Sequence, residues 1–349
     1  MKKWLIYGAN GYTGQLIAQQ AKQLGMTPIV AGRSASIHEV GARLGLAVRQ
    51  FNLNNAAELA AGLADVQLVL HCAGPFSKTA EPMVRACLQA GAHYLDITGE
   101  FKVFEFARSL HDEAIAKGVV VCPGVGFDVI PTDCLALALK EALPEAVELT
   151  LGFDTASGLS PGTFKTLIET LADGGKIRRD GVLVTVPNAW RTRQIDFGFG
   201  PKSAMTIPWG DVSTAYFSTG IPNISVYFPA PRAFIRITRW TDWSRFIFGF
   251  GAVQRLLAAL VDRRVKGPSP AQRSTLRTAV WGEVRDAKGR TRTARIETSN
   301  GYELTVHSAL HVAQWVMCNS PAGGYYTPSQ LMGWRLVEAL PGSCRMGIQ

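Results

Sequence analysis

Three glycines near the N-terminus have the spacing of a loop that binds a dinucleotide. They follow the apolar run of residues 4–7 and precede an amphipathic stretch at residues 13–24, so a strand enters the loop and a helix leaves it. Glycine there allows a tight turn and lets backbone N–H groups approach a pyrophosphate at the start of a helix. The pattern predicts that a cofactor contacts the whole loop, which consists of Gly8, Ala9, Asn10, Gly11, Tyr12, Thr13 and Gly14.

The end of the second apolar run predicts which dinucleotide is bound. NAD-binding proteins usually place an acidic side chain there, because it accepts hydrogen bonds from the ribose 2′-hydroxyl group. This chain instead has Ala31, Gly32, Arg33 and Ser34 at that point. A guanidinium group stays charged at any working pH and binds phosphate through two hydrogen bonds. We therefore predict NADP(H), with Arg33 and Ser34 at the 2′-phosphate. The alternative is that Arg33 stacks on the adenine of either cofactor.

Further loops follow other apolar runs and are expected at the same edge of the sheet, where ligands of open α/β folds bind. The loop after residues 66–70 suits contact with ribose and nicotinamide through Cys72, Ala73, Gly74, Pro75 and Phe76, while His71 is expected in the core. The loop at 96–100 offers Thr98 and Gly99 to the cofactor, or else supplies an N-cap and first-turn carboxylate to the following helix. After the third strand, the side chains expected near the adenine are Asn52, Leu53 and Asn54.

A segment with two glycines and two prolines, residues 123–133, connects this region to the rest of the chain. Glycine frees the backbone and proline stiffens it, which suits a junction where nicotinamide and substrate meet. Asp128 is the candidate for a catalytic or positioning role, and the alternative is that it braces the turn. Asp133 fits the first turn of a helix that ends near residue 142. No catalytic triad or paired metal-ligand motif occurs in the sequence, so we expect no metal; the cofactor itself carries hydride chemistry.

The elements that hold these loops alternate between strands and helices over residues 3–122. Such alternation predicts an α/β fold with a doubly wound parallel Rossmann sheet. After Pro131 the pattern predicts a second, mixed α/β domain with an antiparallel-rich sheet. It includes a hairpin of residues 277–286 and 291–299. Helices are expected at residues 132–142, 163–171, 244–265, 302–317 and 327–340.

These elements predict two domains. Residues 1–130 form the NADP-binding Rossmann domain, and a C-terminal helix at about 325–349 packs back on it. Residues 131–324 form an α+β domain for substrate binding and oligomerisation.

Composition limits the classes of protein that the chain fits. Its 349 residues are 47% hydrophobic and 18% charged, which is typical of a globular protein and long enough for two cores. None of the six cysteines lies in a CxxC pair, so we expect reduced thiols. Neither a signal peptide nor a run of eighteen apolar residues is found, so we expect a cytoplasmic protein.

The net charge of +9 is concentrated in one segment. Residues 232–295 hold fifteen lysines and arginines against four acidic residues, which indicates either an anionic partner or a solvated surface. Within it, residues 240–266 mix aromatic, aliphatic and basic side chains. That mixture suits peripheral contact with an anionic membrane, the mouth of a site for a lipid-like acyl substrate, or a core-packed helix with basic ends. Nucleic acid is not expected as a partner, since stacking motifs are absent. A homodimer remains open.

The sequence resembles the saccharopine dehydrogenase-like NADP-binding family and, within it, the trans-acting enoyl reductase branch. The resemblance rests on blocks along the whole chain: GANGYTG at 8–14, AGR at 31–33, HCAGPF at 71–76, YLDITGE at 94–100, PGVGFDVIPTD at 123–133, SPGTFKTLIETLADGG at 160–175, STGIPN at 218–223 and GGYYTPSQLMG at 323–333. It implies a Rossmann domain, a mixed α/β domain that completes the active site, and a C-terminal segment packed on the first domain. The family's glycines correspond to Gly8, Gly11 and Gly14 and its arginine to Arg33, whereas the acid that relatives carry near Asn52 is replaced here.

The residues and the resemblance together predict an NADP(H)-dependent oxidoreductase. Its expected reaction is reduction of a C=C or C=N bond in a small-molecule or lipid-like acyl substrate. The alternative is a Rossmann protein that binds the cofactor without catalysis and senses its redox state. The second domain favours the enzyme, because a sensor does not need so complete an enclosure of the cofactor.

Overall fold

The computed structural model describes residues 3–155, 173–250, 253 and 275–349. The first part of the chain contains β1 (Lys3–Tyr7), α1 (Tyr12–Gln23), β2 (Ile29–Gly32), α2 (Ser36–Leu44), β3 (Val48–Gln50), α3 (Ala56–Leu63), β4 (Val66–His71), α4 (Phe76–Ala90), β5 (His93–Asp96), α5 (Phe101–Ser109), α6 (His111–Lys117) and β6 (Val120–Cys122). The middle part contains α7 (Ile130–Ala142), β7 (Ala146–Thr155), β8 (Gly175–Arg179), β9 (Val182–Val186), β10 (Thr192–Asp196), β11 (Pro201–Ile207), α8 (Asp211–Thr219), β12 (Asn223–Pro229), α9 (Arg232–Trp240) and a 3-10 helix (Asp242–Gly249). The last part contains β13 (Arg277–Asp286), β14 (Thr291–Ser299), α10 (Gly301–Asn319), β15 (Gly324–Tyr325), α11 (Pro328–Met332), a second 3-10 helix (Trp334–Ala339) and β16 (Gly347–Ile348).

Contacts divide the chain into two compact units. One consists of residues 1–130 together with 302–332, and the other of residues 131–301 together with 333–349. The segment that returns to the first unit is therefore 302–332, whereas the sequence-based expectation placed it at about 325–349. The assignment of cofactor binding to one domain and substrate binding to the other stays a prediction.

The described strands of the first unit form one sheet in the order β15-β6-β5-β4-β1-β2-β3. Every neighbouring pair is parallel, which confirms the predicted doubly wound α/β fold. The winding reverses at β1, so the crevice at its carboxyl end is the position where open sheets of this kind bind ligands. The central strands are covered on both faces, as shown by the fully buried side chains of Leu5, Ile6, Leu68 and Leu70.

The second unit is built on a mixed sheet whose described strands follow the order β10-β11-β12-β7-β13-β14-β16, with the β8–β9 hairpin attached to β12. β7 and β12 pair in parallel, and the other pairings are antiparallel. The antiparallel-rich sheet is thus confirmed. So is the predicted hairpin, whose register runs from the pair Arg277–Ser299 to the pair Arg285–Thr291.

The last predicted helix is divided at Gly333. Thr327 begins α11 with a capping box, because its hydroxyl accepts from Gln330 N at 3.3 Å while Gln330 Oε1 accepts from Thr327 N at 3.0 Å. The helix ends at Met332, since Gly333 has a φ of +79°, which a continuing helix cannot adopt. A 3-10 helix follows, so the expectation of one helix over 327–340 was wrong.

The structure confirms two of the other predicted helices and describes little or nothing of the remaining two. Those at 132–142 and 302–317 are confirmed by α7 and α10. The one at 163–171 lies outside the described residues, and of 244–265 only 244–250 and 253 are described, the first part as a 3-10 helix. Among the described residues, no helix is long and apolar enough to cross a membrane.

Candidate cofactor site and active site

The glycine loop is tied to the neighbouring strand by its own backbone. Gly8 has a φ of +83°. Gly8 N and Ala9 N both donate to Ala31 O, at 2.8 and 3.2 Å, and Gly11 N donates to Gly8 O at 2.9 Å. The carboxyl end of β1 is thereby held against the end of β2. The seven loop residues that the sequence assigned to the cofactor lie together at the switch point of the sheet.

The three glycines have different physical reasons to lack a side chain. A Cβ on Gly14 would lie 2.3 Å from Gly8 O, and one on Gly8 would lie 2.7 Å from Ala73 N. Both positions therefore require glycine, because a side chain there would clash with neighbouring backbone atoms. A Cβ on Gly11 would meet, among described atoms beyond its chain neighbours, only Gly8 O at 3.3 Å. That single contact is tight, but no other described atom lies near, so Gly11 leaves exposed space beside the start of α1.

That space fits a pyrophosphate. Gly11 is the N-cap residue of α1, and glycine has no side chain with which to cap the helix. The N-terminus of a helix carries N–H groups and a partial positive charge that attract phosphate. A cradle that a single Cβ would fill, next to a helix start whose N-cap residue has no side chain, is the arrangement that a dinucleotide requires.

The residues at the end of β2 form a polar cluster suited to a second phosphate. Asn10 Nδ2 donates to Ser34 Oγ at 3.0 Å and to Ser36 Oγ at 3.1 Å, and the two hydroxyl groups are 2.7 Å apart. Arg33 is exposed and forms no ion pair with any described carboxylate. Its guanidinium group is thus available to an anion. Ser36 was missed by the sequence reasoning, although its position two residues after Ser34 was a usable signal.

The residues expected near the adenine are held by turns. Asn52 Oδ1 accepts from Asn54 N at 3.1 Å, and Asn52 N donates to Glu58 Oε2 at 3.0 Å. Asn55 caps α3, because its Oδ1 accepts from the N–H groups of the first turn. Leu53 is buried, whereas Asn52 is exposed. Contact of either residue with adenine stays a prediction.

His71 is a core residue, as expected. It lies among Tyr7, Phe76 and Tyr94, with ring centroids 5.6, 5.4 and 6.1 Å away. Its Nε2 is 3.0 Å from Thr79 Oγ1, which also donates to Ala73 O at 2.7 Å. Burial lowers the pKa of His71 to about 3, so the ring is neutral at physiological pH. Through Thr79, the neutral and enclosed imidazole supports the 72–76 loop. Because it carries no extra proton at physiological pH, His71 is not a candidate for donating a proton to a substrate.

The loop after β5 is organised by two carboxylates. Buried Asp96 accepts from Tyr94 OH at 2.7 Å, from Thr98 N at 3.0 Å and from Gly124 N at 2.8 Å. Burial raises its pKa to about 6. Since Gly124 belongs to the 123–133 segment, Asp96 joins the loops that follow β5 and β6.

Glu100 caps a helix, though a different one from the helix that follows it. Its Oε1 accepts from Phe76 N at 2.9 Å and its Oε2 from Ser77 N at 2.7 Å, so its charge lies at the N-terminus of α4. The sequence had placed the 96–100 loop at the start of α5, which follows it directly. Glu100 does occupy the N-cap position of α5, but its carboxylate makes no capping bond there, because two adjacent strand ends bring the α4 terminus within its reach.

Asp128 lies at the same edge of the sheet. A Cβ on Gly99 would be 2.8 Å from Asp128 Oδ2, so the Asp128 side chain packs directly on that glycine. Burial, with a further contribution from the negative charge of Glu100, raises the pKa of Asp128 to about 7. Asp128 is partly exposed, and at neutral pH a share of its carboxyl groups therefore still carries the proton. Asp133, by contrast, lies in the second unit, where it accepts from Ser218 Oγ at 2.6 Å.

The returning helix α10 fixes the loop that carries Asp128. Thr305 Oγ1 accepts from Phe127 N at 3.0 Å, and Ser308 Oγ donates to Val125 O at 2.8 Å. Both hydroxyl groups belong to an otherwise apolar helix face. Sequence reasoning missed them, although polar residues on a buried face were a weak signal. Among the described residues, no group of three His, Cys, Asp or Glu side chains is arranged to hold a metal ion.

Comparison with known families agrees with this geometry. Residues 4–122 match the family described as the saccharopine dehydrogenase NADP-binding domain. This part of the chain is therefore similar to that NADP-binding domain. The match covers the glycine loop, Arg33 and the loops after β4 and β5. It confirms the cofactor predicted from the sequence, NADP(H).

Curated relatives are similar over about half of their length. A saccharopine dehydrogenase-like oxidoreductase of Mus musculus is 31% identical over 202 residues, which are 50% of this chain and 47% of that protein. A Mycobacterium tuberculosis protein, provisionally named trans-acting enoyl reductase Rv2449c, is 32% identical over 186 residues, or 48% of this chain and 44% of that protein. The chain thus spans about half the length of the curated relatives it matches.

Among solved structures, apo saccharopine dehydrogenase (L-Glu forming) of Saccharomyces cerevisiae is similar over 100% of both chains. The TM-score is 0.68 and the sequence identity is 11%. At this identity the likeness concerns the fold alone.

Proposed function

We propose that the protein is an NADPH-dependent reductase of a C=C or C=N bond in a small-molecule or lipid-like acyl substrate, with Asp128 as the proton donor. The observation that supports this most is the pKa of Asp128, raised to about 7 in the unit that holds the glycine loop. A carboxyl group with an ordinary pKa has lost its proton at neutral pH, whereas one near 7 can still donate it.

The chemistry needs one hydride and one proton for each double bond. NADPH supplies the hydride when it is bound. The protonated carboxyl group of Asp128 gives its proton to the atom of the double bond that does not receive the hydride, and solvent then reprotonates the carboxylate. Arg33 and the cluster of Asn10, Ser34 and Ser36 hold the 2′-phosphate, while the space beside Gly11 accepts the pyrophosphate.

A continuous series of contacts connects these groups within one unit. Gly8 packs on Ala73, the loop of Ala73 leads into α4, and the N-terminus of α4 is capped by Glu100. Glu100 is adjacent to Gly99, on which Asp128 packs. Catalytic groups must be held within about 0.5 Å of a productive geometry, which is achieved best on rigid elements. This edge of the sheet offers such support.

The names of the relatives favour the same reaction class. They include an oxidoreductase and a provisionally named enoyl reductase, the second of which favours a C=C bond conjugated to an acyl group.

The test is oxidation of NADPH, followed by absorbance, with a panel of 2-enoyl thioesters and cyclic imines. Asp128→Asn should bind NADPH as tightly as the wild type and lose at least about a hundredfold in kcat, the usual contribution of a general acid. Asp112→Asn is the matched control, because Asp112 is an exposed acid of the same unit on α6.

Full activity of Asp128→Asn would exclude this residue as the donor while leaving the reductase intact. A wild type that binds NADPH and turns over no member of the panel would favour the non-catalytic, redox-sensing alternative.

A further inference from the structure

Helix α9 of the second unit exposes a row of large apolar side chains. Phe234, Ile237 and Trp240 are 52%, 60% and 78% exposed, and Trp243 in the following 3-10 helix is 76% exposed. Ile235 is buried, so the helix is anchored by its opposite side. Steps of three residues keep side chains on one helix face. Single exposed apolar residues are ordinary, but a row that includes two tryptophans marks an interaction surface.

Arginines flank this row. Arg232, Arg236 and Arg239 are exposed on the same helix, which contains no acidic residue. Arg239 donates to the carbonyl groups of Ala189 and Trp190, and the described carboxylates form no ion pair with any of the three. The positive charge of the helix is therefore not neutralised within the described part of the chain.

We infer that the α9 face, residues 232–243, docks on an anionic lipid membrane. Tryptophan and phenylalanine favour the boundary between headgroups and acyl chains, where an amphipathic helix lies with its apolar face inserted. Arginine side chains can extend from such a helix to lipid phosphates while their methylene groups stay in apolar surroundings. A helix surface with both features matches the layered polarity and the charge of such a membrane.

The charges argue against a second copy of this chain as the occupant. A two-fold symmetric interface brings the same patch of two subunits together. The arginines of one α9 would then face those of the other, and like charges across an interface cost free energy. The sequence-based expectation of membrane contact at 240–266 overlaps this face only at 240–243, and its remainder lies largely outside the described residues.

The experiment is flotation of the full chain at low salt with two kinds of vesicle: phosphatidylcholine alone, and phosphatidylcholine mixed with phosphatidylglycerol. The protein should float with the anionic vesicles and stay at the bottom with the neutral ones. Each arginine near an anionic surface is worth about fivefold in partitioning, so Arg232→Gln/Arg236→Gln should weaken binding about twenty-five-fold. Ile237→Gln/Trp240→Gln should weaken it at least about tenfold.

Leu24→Gln is the control. Leu24 is a 57% exposed apolar residue at the end of α1, in the other compact unit, and its replacement should leave flotation unchanged. The inference is overturned by any of three results: no flotation with anionic vesicles, equal flotation with both kinds, or equal loss in the control. A dimer in sedimentation velocity that Ile237→Gln/Trp240→Gln dissociates would assign the face to a second copy instead. None of these outcomes depends on the proposed reductase activity.

Discussion

Asp128 and Gly99 are in direct contact, and the contact leaves no room for a side chain at position 99. A Cβ on Gly99 would lie 2.8 Å from Asp128 Oδ2 and 2.9 Å from its Cβ. Non-bonded atoms this close repel strongly, so the Asp128 carboxyl group can keep its position only if residue 99 is glycine. The contact gives Gly99 a physical role besides the cofactor contact that the sequence predicts.

Gly99→Ala should displace the Asp128 carboxyl group and lower kcat by at least about tenfold, since a shift of 1 Å at a catalytic group can cost more than that. If Gly99 only positions Asp128, the Kd for NADPH will stay the same; if Gly99 also contacts the nicotinamide, the Kd will rise. Gly347→Ala is the control, because position 347 has no heavy atom nearby and an ordinary φ. Unchanged kcat in Gly99→Ala would remove the positioning role.

The pH dependence of turnover should follow the pKa of Asp128, which is raised to about 7. Reduction needs the protonated carboxyl group. We therefore expect kcat to be level below about pH 7 and to fall about tenfold per pH unit above it. The residual activity of Asp128→Asn should lack this decline. A wild-type profile that is flat up to about pH 9 would contradict the assignment.

The same pKa has a consequence for stability. The ordinary pKa of an aspartate is 3.8, and folding raises that of Asp128 to about 7, so between these values the folded state binds more protons than the unfolded state. The free energy of unfolding contributed by this group therefore falls as pH rises from about 4 to 7 and stays low above that range. Asp128→Asn removes this cost and should raise the free energy of unfolding at about pH 8 by roughly 2–4 kcal/mol, and by less at about pH 5. Urea denaturation at both pH values measures the difference. An equal effect at both values, or the same effect in Asp112→Asn, would contradict the expectation.

The cofactor half of the site could be predicted from the sequence because its signals are local. The glycine spacing, the apolar run before it and the helical period after it lie within residues 4–24. The missing acid and the arginine at the end of β2 lie in one short stretch. The hydrophobic periods of strands and helices depend on residues close together in the chain, so they can be read from the sequence. The fold and the cofactor followed from it.

The surroundings of Asp128 could not be predicted, because they are made by residues far apart in the chain. Phe127 and Thr305, which hydrogen-bond to each other, are separated by 178 positions. Glu100 reaches 23 and 24 positions back to cap α4 in place of the helix next to it. The hydrophobic period of a segment contains no information about such distant pairs. The raised pKa of Asp128 could therefore not be predicted from the sequence pattern.

The structure predicts different effects for substitutions at different glycines of the first unit, although the sequence alone does not distinguish them. Gly11→Ala places a methyl group at the exposed start of α1, where its one tight contact is Gly8 O at 3.3 Å. A small shift relieves that contact, so the protein should stay folded and lose most of its NADPH affinity. Gly14→Val places atoms 2.3 Å from Gly8 O and should destabilise the fold itself. Gly25→Ala, at a φ of +73° with no atom nearby, should cost about 1 kcal/mol and leave binding intact. Circular dichroism and calorimetric titration separate the three. Wild-type affinity in folded Gly11→Ala would remove the pyrophosphate from this position.

Arg33 should be the main reason for a preference of NADPH over NADH. A charge-assisted hydrogen bond contributes roughly 1.5–3 kcal/mol, which corresponds to about a ten- to hundredfold difference in Kd. Arg33→Ala should weaken NADPH binding by that factor and leave NADH binding nearly unchanged. Because Arg33 is exposed, the difference should shrink at high salt. The hydroxyl groups of Ser34 and Ser36, 2.7 Å apart, keep part of the phosphate affinity in the single variant, so Arg33→Ala/Ser34→Ala should lose more.

Lys22→Ala is the control for general electrostatic attraction, because Lys22 is an exposed cation at the far end of α1. Fluorescence titration of both cofactors decides the matter. An equal loss for NADPH and NADH would show that Arg33 stacks on the adenine, and an effect of Lys22→Ala as large as that of Arg33→Ala would show that net charge alone attracts the cofactor.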